Sequence, residues 1–342
     1  MRILFIRPCC IGDVVVATAA LSALRYAYPD AHITWAVGGW SRRAVEYHPA
    51  VDAILDTGNA AMPVKSWAGF WQFVRQMRSG KFDIVISLVR SPLMTLAVLL
   101  SGIETRVGID SDGRGFGYTV KHKINPDDAI HEAQIYLDTV AELNVNTTGY
   151  QVNLPVLETA KQSIKAKFHS DKPYIVINPA GGSNPGMVLD SKRWLPENFA
   201  AVGNVLADDY DAEIVMVAGP DDVPILDAVQ NGLQKQAAIF AGTLTFPEIG
   251  ALAAEALLYI GNDTGLTHLA AASGAKTAMV LGISDPARYA PFTDNSIALW
   301  KETTIRAGGV ASADNSEWDW SRDGISAEEA LVQLRSFISG ES

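Results

Sequence analysis

The sequence predicts an α/β protein built as two doubly wound parallel-sheet domains that face one another. Three observations predict it. The chain has 342 residues, about twice an average domain at roughly 150 residues each. Short runs rich in Ile and Val alternate with amphipathic stretches over nearly its whole length. The alternation stops near residue 144 and resumes near residue 174.

In the first half the expected strands are Arg2–Ile6, His32–Val37, Ala53–Asp56, Phe82–Leu88 and Thr105–Ile109. Each is short and apolar, as a strand covered on both faces should be. Helices are expected at Val14–Tyr26, Arg42–His48, Trp67–Arg78, Pro92–Ser101 and about Asp128–Leu143. The segment from Asn144 to Lys172 holds turn formers, Pro155 and a polar helix near Glu158–Phe168, and reads as a boundary. Strands then recur at Tyr174–Asn178, Glu213–Ala218, Ala237–Phe240, Leu257–Ile260 and Thr277–Leu281. Helices alternate with them at Pro196–Leu206, Val223–Gly232, Pro247–Glu255 and Gly265–Ser273. Thr245 with Glu248 and Ser326 with Glu329 form capping boxes, the second opening a helix over Ala327–Ile338. Trp318 and Trp320 are assigned to the loop before it. The expected domains are 1–155 and 156–325, followed by a helical segment, 326–342, that is free to pack back on the first domain.

Composition narrows the function. Hydrophobic residues make up 48% and charged residues 19%, ordinary for a folded chain. The adjacent pair Cys9 and Cys10 supplies no disulfide framework and no zinc site, which suits a reducing compartment. The opening MRILFIRPCCIGD is not read as a signal peptide, and the longest apolar run, Leu93–Leu100, is too short to cross a bilayer. The net charge is −11; residues 1–155 balance at 14 basic and 14 acidic, so the remainder carries the whole excess. That argues against nucleic acid as a partner.

Doubly wound domains bind ligands beyond the C-terminal ends of their strands, and four segments fall there. RPCCIGDVV (residues 7–15) joins the first strand to the first helix; Gly12 permits a tight turn, and Asp13 is either a helix cap or a general base. It lacks the G-x-G-x-x-G spacing of a dinucleotide site. GNDTGLTHLAAASG (residues 261–274) brings a helix start at Thr264 or Gly265, whose free N–H groups suit a diphosphate without a metal. Within it Asp263 is read as holding the turn or meeting a sugar hydroxyl, and His268 lies one turn in. NPAGGSNPG, followed by KRWLP, offers backbone donors at Gly182 and Ser183 and a cation, Lys192, for a diphosphate leaving group. VAGPDD (residues 217–222) places Asp221 or Asp222 for ribose hydroxyls or for a helix cap. Asp110 and Asp112 form a D-x-D string in a Gly-rich turn, read as a loop. KSWAGFWQFVRQMRSGK (residues 65–81) suits an anionic membrane surface or packing on a sheet, and packing is preferred.

Taken together these segments resemble the ADP-heptose:lipopolysaccharide heptosyltransferases of glycosyltransferase family 9. The matches run in order: R-x4-G-D, H-P-x-V-D at His48–Asp52, K-F-D-x-V-I-x-L at Lys81–Leu88, R-V-G at Arg106–Gly108, N-P-x-G-G, K-R-W-x-P, and D-T-G-L-T-H-L-A-A-A-S-G. The resemblance implies the GT-B fold, two facing Rossmann-like domains with the donor held by the second. It implies an inverting transferase that uses no metal or other cofactor and moves a sugar from a nucleotide-diphosphate donor, ADP-heptose, to a lipopolysaccharide-core or related glycan acceptor. Asp13 matches the catalytic base and Lys192 the lysine that meets the donor diphosphate. Asp263, Thr264, Gly265 and His268 match the donor signature, and Gly12, Gly182, Ser183 and Asp222 complete the donor-binding set. The implied location is the cytoplasm, with peripheral contact at the inner membrane left open. Two rivals remain: a nucleotide-sugar epimerase of the same fold and a non-catalytic nucleotide-sugar binding protein.

Overall fold

The structure is a computed structural model; it describes residues 1–60, 62–181, 183–184, 187–303 and 318–340, with backbone alone at 183, 184, 187, 188 and 190. The chain divides into two compact units, Met1–Pro155 and Val156–Ser342.

The first unit contains strands β1 (Arg2–Ile6), β2 (His32–Val37), β3 (Ala53–Asp56), β4 (Ile84–Ser87), β5 (Thr105–Ser111) and β6 (Val120–Ile124). They form one sheet in the order β3-β2-β1-β4-β5-β6, every pairing parallel. Its helices are α1 (Ile11–Val16), α2 (Thr18–Ala27), α3 (Trp67–Ser79), α4 (Pro92–Ser101) and α5 (Glu132–Ala141). α3 packs on α4, and α2 on α5. Phe70, Phe73, Val74 and Met77 of α3 bury against Leu4 and Ile6 of β1 and against Met94, Ala97 and Val98 of α4. Each such large side chain contributes about 1.5–3 kcal/mol by leaving water.

The second unit begins with α6 (Glu158–Lys167) and β7 (Tyr174–Asn178), then a small antiparallel hairpin, β8 (Ser183–Asn184) and β9 (Met187–Val188). It continues through α7 (Pro196–Asp209), β10 (Glu213–Ala218), α8 (Val223–Gly232), β11 (Ala238–Ala241), α9 (Phe246–Ala254), β12 (Leu258–Asn262), α10 (Gly265–Ala272), β13 (Thr277–Val280), α11 (Pro286–Tyr289) and β14 (Ser296–Leu299). It closes with α12 (Trp320–Asp323) and α13 (Ala327–Ser339). The sheet order is β11-β10-β7-β12-β13-β14, again all parallel. Both sheets therefore reverse direction once, between β1 and β4 and between β7 and β12. A crevice opens at the C-terminal ends of the strands at such a reversal.

Several elements depart from the sequence reading, each for a local reason. The expected helix over Val14–Tyr26 starts earlier, at Ile11, and breaks at Ala17. There the Thr18 hydroxyl donates back to the Val15 carbonyl at 2.6 Å, which competes with the helical ladder. The expected helix over Arg42–His48 is only a short 3₁₀ turn, Ser41–Ala44; Pro49 disfavours helical backbone at His48 but does not account for the end at Ala44. The edge strands β6 and β14 were not expected. One carries Lys121 and Lys123 and the other has four residues, the short and charged form that edges take. Trp320 opens a short helix instead of lying in a loop. The last helix packs on α7 and β14 of the second unit, and its Ala330, Leu331 and Leu334 join that unit's core. On α3 the expected burial of all the aromatics fails at Trp67 and Trp71, which are 72% and 44% exposed.

Candidate active site

In the first unit the loop after β1 carries Arg7 and Asp13. α1 starts at Ile11 with Cys10 as its N-cap residue, so Asp13 is the third residue of the helix and not its cap. Its Oδ2 accepts from the Cys10 amide at 3.4 Å and pairs with Arg7 Nη2 at 2.6 Å. Nothing among the described residues hydrogen-bonds Oδ1, and the side chain is 36% exposed. Arg7 lies at the sheet reversal, donating from Nη1 to the Leu88 carbonyl beyond β4 at 3.0 Å and lying 5.5 Å from the centre of the Tyr136 ring. Burial works against its charge, but Asp13, Tyr136 and Glu132 outweigh burial and push its pKa upward. Arg7 is thus a fixed cation that orients one carboxylate oxygen and leaves the other outward. Behind it Arg90 holds the buried Glu132 through two 2.8 Å bonds.

In the second unit three distant segments meet at the other reversal. Asn262, the buried last residue of β12, donates to the carbonyls of Pro179 (2.8 Å) and Ala180 (3.3 Å) and accepts from the Trp194 amide at 2.9 Å. Gly181, at φ +130°, has room only for hydrogen, since a Cβ there would lie 2.1 Å from Thr264 Cγ2. Thr264 is the N-cap of α10, its hydroxyl facing the Thr267 amide at 3.5 Å. The amides of Gly265 and Leu266 find no acceptor among the described residues, so the helix end presents two donors and the positive end of its dipole.

Beside that helix end, Asp263 is buried and receives Lys192 Nζ at 2.6 Å and the Ser284 hydroxyl at 2.7 Å, with His268 Nε2 4.0 Å away. Burial alone would raise its pKa; the charges of Lys192 and His268 and the hydrogen bonds from Lys192 and Ser284 outweigh that and hold it below the usual carboxylate range. Lys192 also lies 5.8 Å from the centre of the Tyr289 ring. The result is an anchored ammonium next to unsatisfied amides, an arrangement suited to a phosphate group.

A family model, glycosyltransferase family 9 (heptosyltransferase), matches residues 70–310. The chain belongs to glycosyltransferase family 9. It is similar to lipopolysaccharide heptosyltransferase 3 of Escherichia coli, 25% identical over 299 residues that cover 84% of this chain and 86% of that protein. Its fold is similar to that of a family 9 glycosyltransferase from Veillonella parvula, with a TM-score of 0.80 at 21% identity over 100% of this chain and 97% of that one. It is also similar to E. coli ADP-heptose lps heptosyltransferase II, with a TM-score of 0.78 at 19% identity over 100% and 99% of the two chains. Two parallel-sheet units in the GT-B manner are thus the fold of this family 9 enzyme.

Within that family 9 fold the expected residues fall into three groups. Lys192, Asp263, Thr264, Gly265 and His268 lie together in the second unit, and Gly12 and Asp13 lie at the reversal in the first. Asp222 lies in the turn after β10, where its carboxylate accepts from the Gly219 amide at 3.2 Å; it is the N-cap residue of α8, but its side chain bonds no amide of that helix. Gly182 and the Ser183 side chain lie outside the described residues. Asp110 and Asp112 do not converge: Asp110 accepts from the Gly115 amide at 2.8 Å, while Asp112 takes a positive φ of 53° in the turn. Arg7 and Asn262 lie inside quoted motifs but were given no role, and Ser284 was missed. Each lies at or just beyond a strand end, which for Ser284 is the one signal that pointed to it.

Proposed function

We propose that the chain is an inverting heptosyltransferase that moves heptose from ADP-heptose to a lipopolysaccharide-core or related glycan acceptor without a bound metal. One observation carries the reading. The Lys192 ammonium is anchored on Asp263, the residue before the N-cap of α10, whose first two amides have no acceptor among the described residues, and this suits the β-phosphate of a nucleotide sugar. As the acceptor oxygen attacks the anomeric carbon, its proton passes to Asp13 Oδ1. The bond from that carbon to the diphosphate oxygen breaks, and its electron pair leaves with ADP. Lys192 and the amides of Gly265 and Leu266 take up the charge that grows there, the task a metal performs in other transferases. Arg7 holds Asp13 through Oδ2 and leaves Oδ1 to accept the proton.

Asp13→Asn is expected to lower kcat by about 10²–10⁴-fold, the usual worth of a positioned proton acceptor, while donor affinity stays near wild type. The variant's urea unfolding is followed alongside, because Asn leaves Arg7 without its carboxylate. Turnover of the wild-type enzyme should survive EDTA. Donor identity is read by thermal shift against ADP-, UDP-, GDP- and dTDP-sugars; a donor at 100 times its Kd stabilises by about 2.7 kcal/mol. Wild-type kcat in Asp13→Asn would reduce that residue to a structural role. Conversion of the donor with no acceptor present would point to an epimerase.

A further inference from the structure

The outer side of α3 and α4 carries a feature that the transfer reaction does not use. Trp67 and Trp71 stand in solvent while packing edge-on to the buried Phe70, with ring centres 5.8 and 5.4 Å away. They are therefore held outward by the core beneath them. On the adjoining α4, Leu93 and Leu99 are exposed. Gly117 lies close against Thr95 and Leu99 of α4, and its neighbour Phe116 is exposed. Large apolar side chains exposed on one helical layer mark a docking surface more often than chance exposure does.

Charge identifies the occupant. Residues 65–81 contain no Asp or Glu, in a chain of net charge −11; Lys65 and Arg75 flank the two tryptophans in sequence, while Arg78 and Lys81 lie at the far end of α3, where Arg78 donates to the Leu100 carbonyl. Lys65 and Arg75 are exposed beside the two tryptophans. Indole rings favour the polar–apolar boundary of a bilayer, and clustered Lys and Arg favour anionic headgroups. The placement agrees. α3 and α4 start beyond the C-terminal ends of β3 and β4, so Trp67, Trp71 and Leu93 lie in the first turns, toward the sheet edge that carries Asp13.

We propose that this surface seats the first unit on an anionic bilayer, with Trp67 and Trp71 at headgroup depth. The inference deepens the proposed reading, on which it rests for one point: an acceptor anchored in lipid would reach the edge that carries Asp13. The second unit, which holds the acidic excess, gains nothing from such a surface.

The test uses the full chain without donor or acceptor, sedimented with vesicles of phosphatidylglycerol and phosphatidylethanolamine or of phosphatidylcholine alone. Binding should be at least about tenfold tighter to the anionic vesicles and should weaken with salt. Trp67→Ser with Trp71→Ser should lose about tenfold or more of it, because the apolar anchor goes while the basic residues stay. Val332→Ser, at an exposed site on α13, should change nothing. Trp67→Phe with Trp71→Phe should still bind but lose most of the tryptophan quenching by brominated lipid. The inference is overturned by absent vesicle binding, by binding indifferent to lipid charge, or by binding indifferent to both tryptophans. It is equally overturned if Trp71→Ser dissociates an oligomer in light scattering, which would make the surface a contact between copies. Turnover on a delipidated acceptor fragment separates the two readings: if that persists while vesicle binding fails, only this inference falls.

Discussion

Lys192 and Asp263 stand 71 positions apart and meet at 2.6 Å. The pair has two functions that substitution can separate. Removing Lys192 leaves a buried carboxylate with Ser284 and His268 alone, which should cost about 1–3 kcal/mol, discounted because the lysine is partly exposed. It also removes a cation from the proposed phosphate site. Lys192→Ala is therefore expected to weaken donor binding by tenfold or more and to lower kcat/KM with it, by titration calorimetry and initial rates. Adding Asp263→Asn should restore much of the stability, since no buried charge is then unpaired, and little of the affinity. Unchanged donor affinity in Lys192→Ala would remove that residue from the site. Sequence placed both residues beyond strand ends, because strand and helix periods locate the backbone. It did not pair them, and it read Asp263 as holding a turn or meeting a sugar. The contact depends on how segments 192–194, 262–264 and 284 fold together, which no local pattern encodes.

Single elements were legible where their signals are local and lost where these are tertiary. The capping box at Thr245 and Glu248 was readable because its two residues lie three apart, and the structure forms it, with Thr245 N donating to Glu248 Oε2 at 2.7 Å. The same carboxylate does more than the motif requires: its other oxygen accepts from Lys167 and from Ser163 of α6, each at 2.6 Å, and so ties α6 to α9. Burial would raise its pKa, but the bonds from Lys167, Ser163 and Thr245 prevail and bring it down to about 2. A carboxylate depressed in the fold stabilises fully above its unfolded value. That stabilisation disappears as pH falls from the usual Glu range toward about 2. Glu248→Gln is expected to cost about 1–2 kcal/mol at neutral pH in urea unfolding, reduced from the buried-pair range because Lys167 is half-exposed. Wild type and variant should converge in acid, and a difference that persists there would mean that the carboxylate's charge is not what joins the two helices. Edge strand β6 shows the opposite case, since Lys121 and Lys123 conceal it from a hydrophobic pattern.

At the scale of the molecule, the repeated alternation announced two doubly wound units and their sheet order follows, but the role of the last helix was not legible. An amphipathic helix shows which of its faces is buried, not which sheet buries it. Here Ala330, Leu331 and Leu334 of α13 enter the core that also holds Trp194, Phe199 and Leu206, and Trp194 donates through Nε1 to the Ile325 carbonyl at 2.8 Å. The second unit therefore needs α13, and with it has a sheet covered on both faces by its own helices. Residues 156–342 expressed alone are accordingly expected to unfold cooperatively and to be stabilised by the donor, yet to transfer no sugar, since Asp13 is absent. The same unit ending at residue 325 loses two buried leucines, about 3–6 kcal/mol at 1.5–3 each. Against a total of about 5–15 kcal/mol for a domain, that should leave it largely unfolded. Circular dichroism melts of the two fragments, with and without ADP-heptose, decide the matter. A folded fragment 156–325 would mean that the second unit does not need α13, and a fragment 156–342 that the donor fails to stabilise would mean that this unit does not hold the donor by itself.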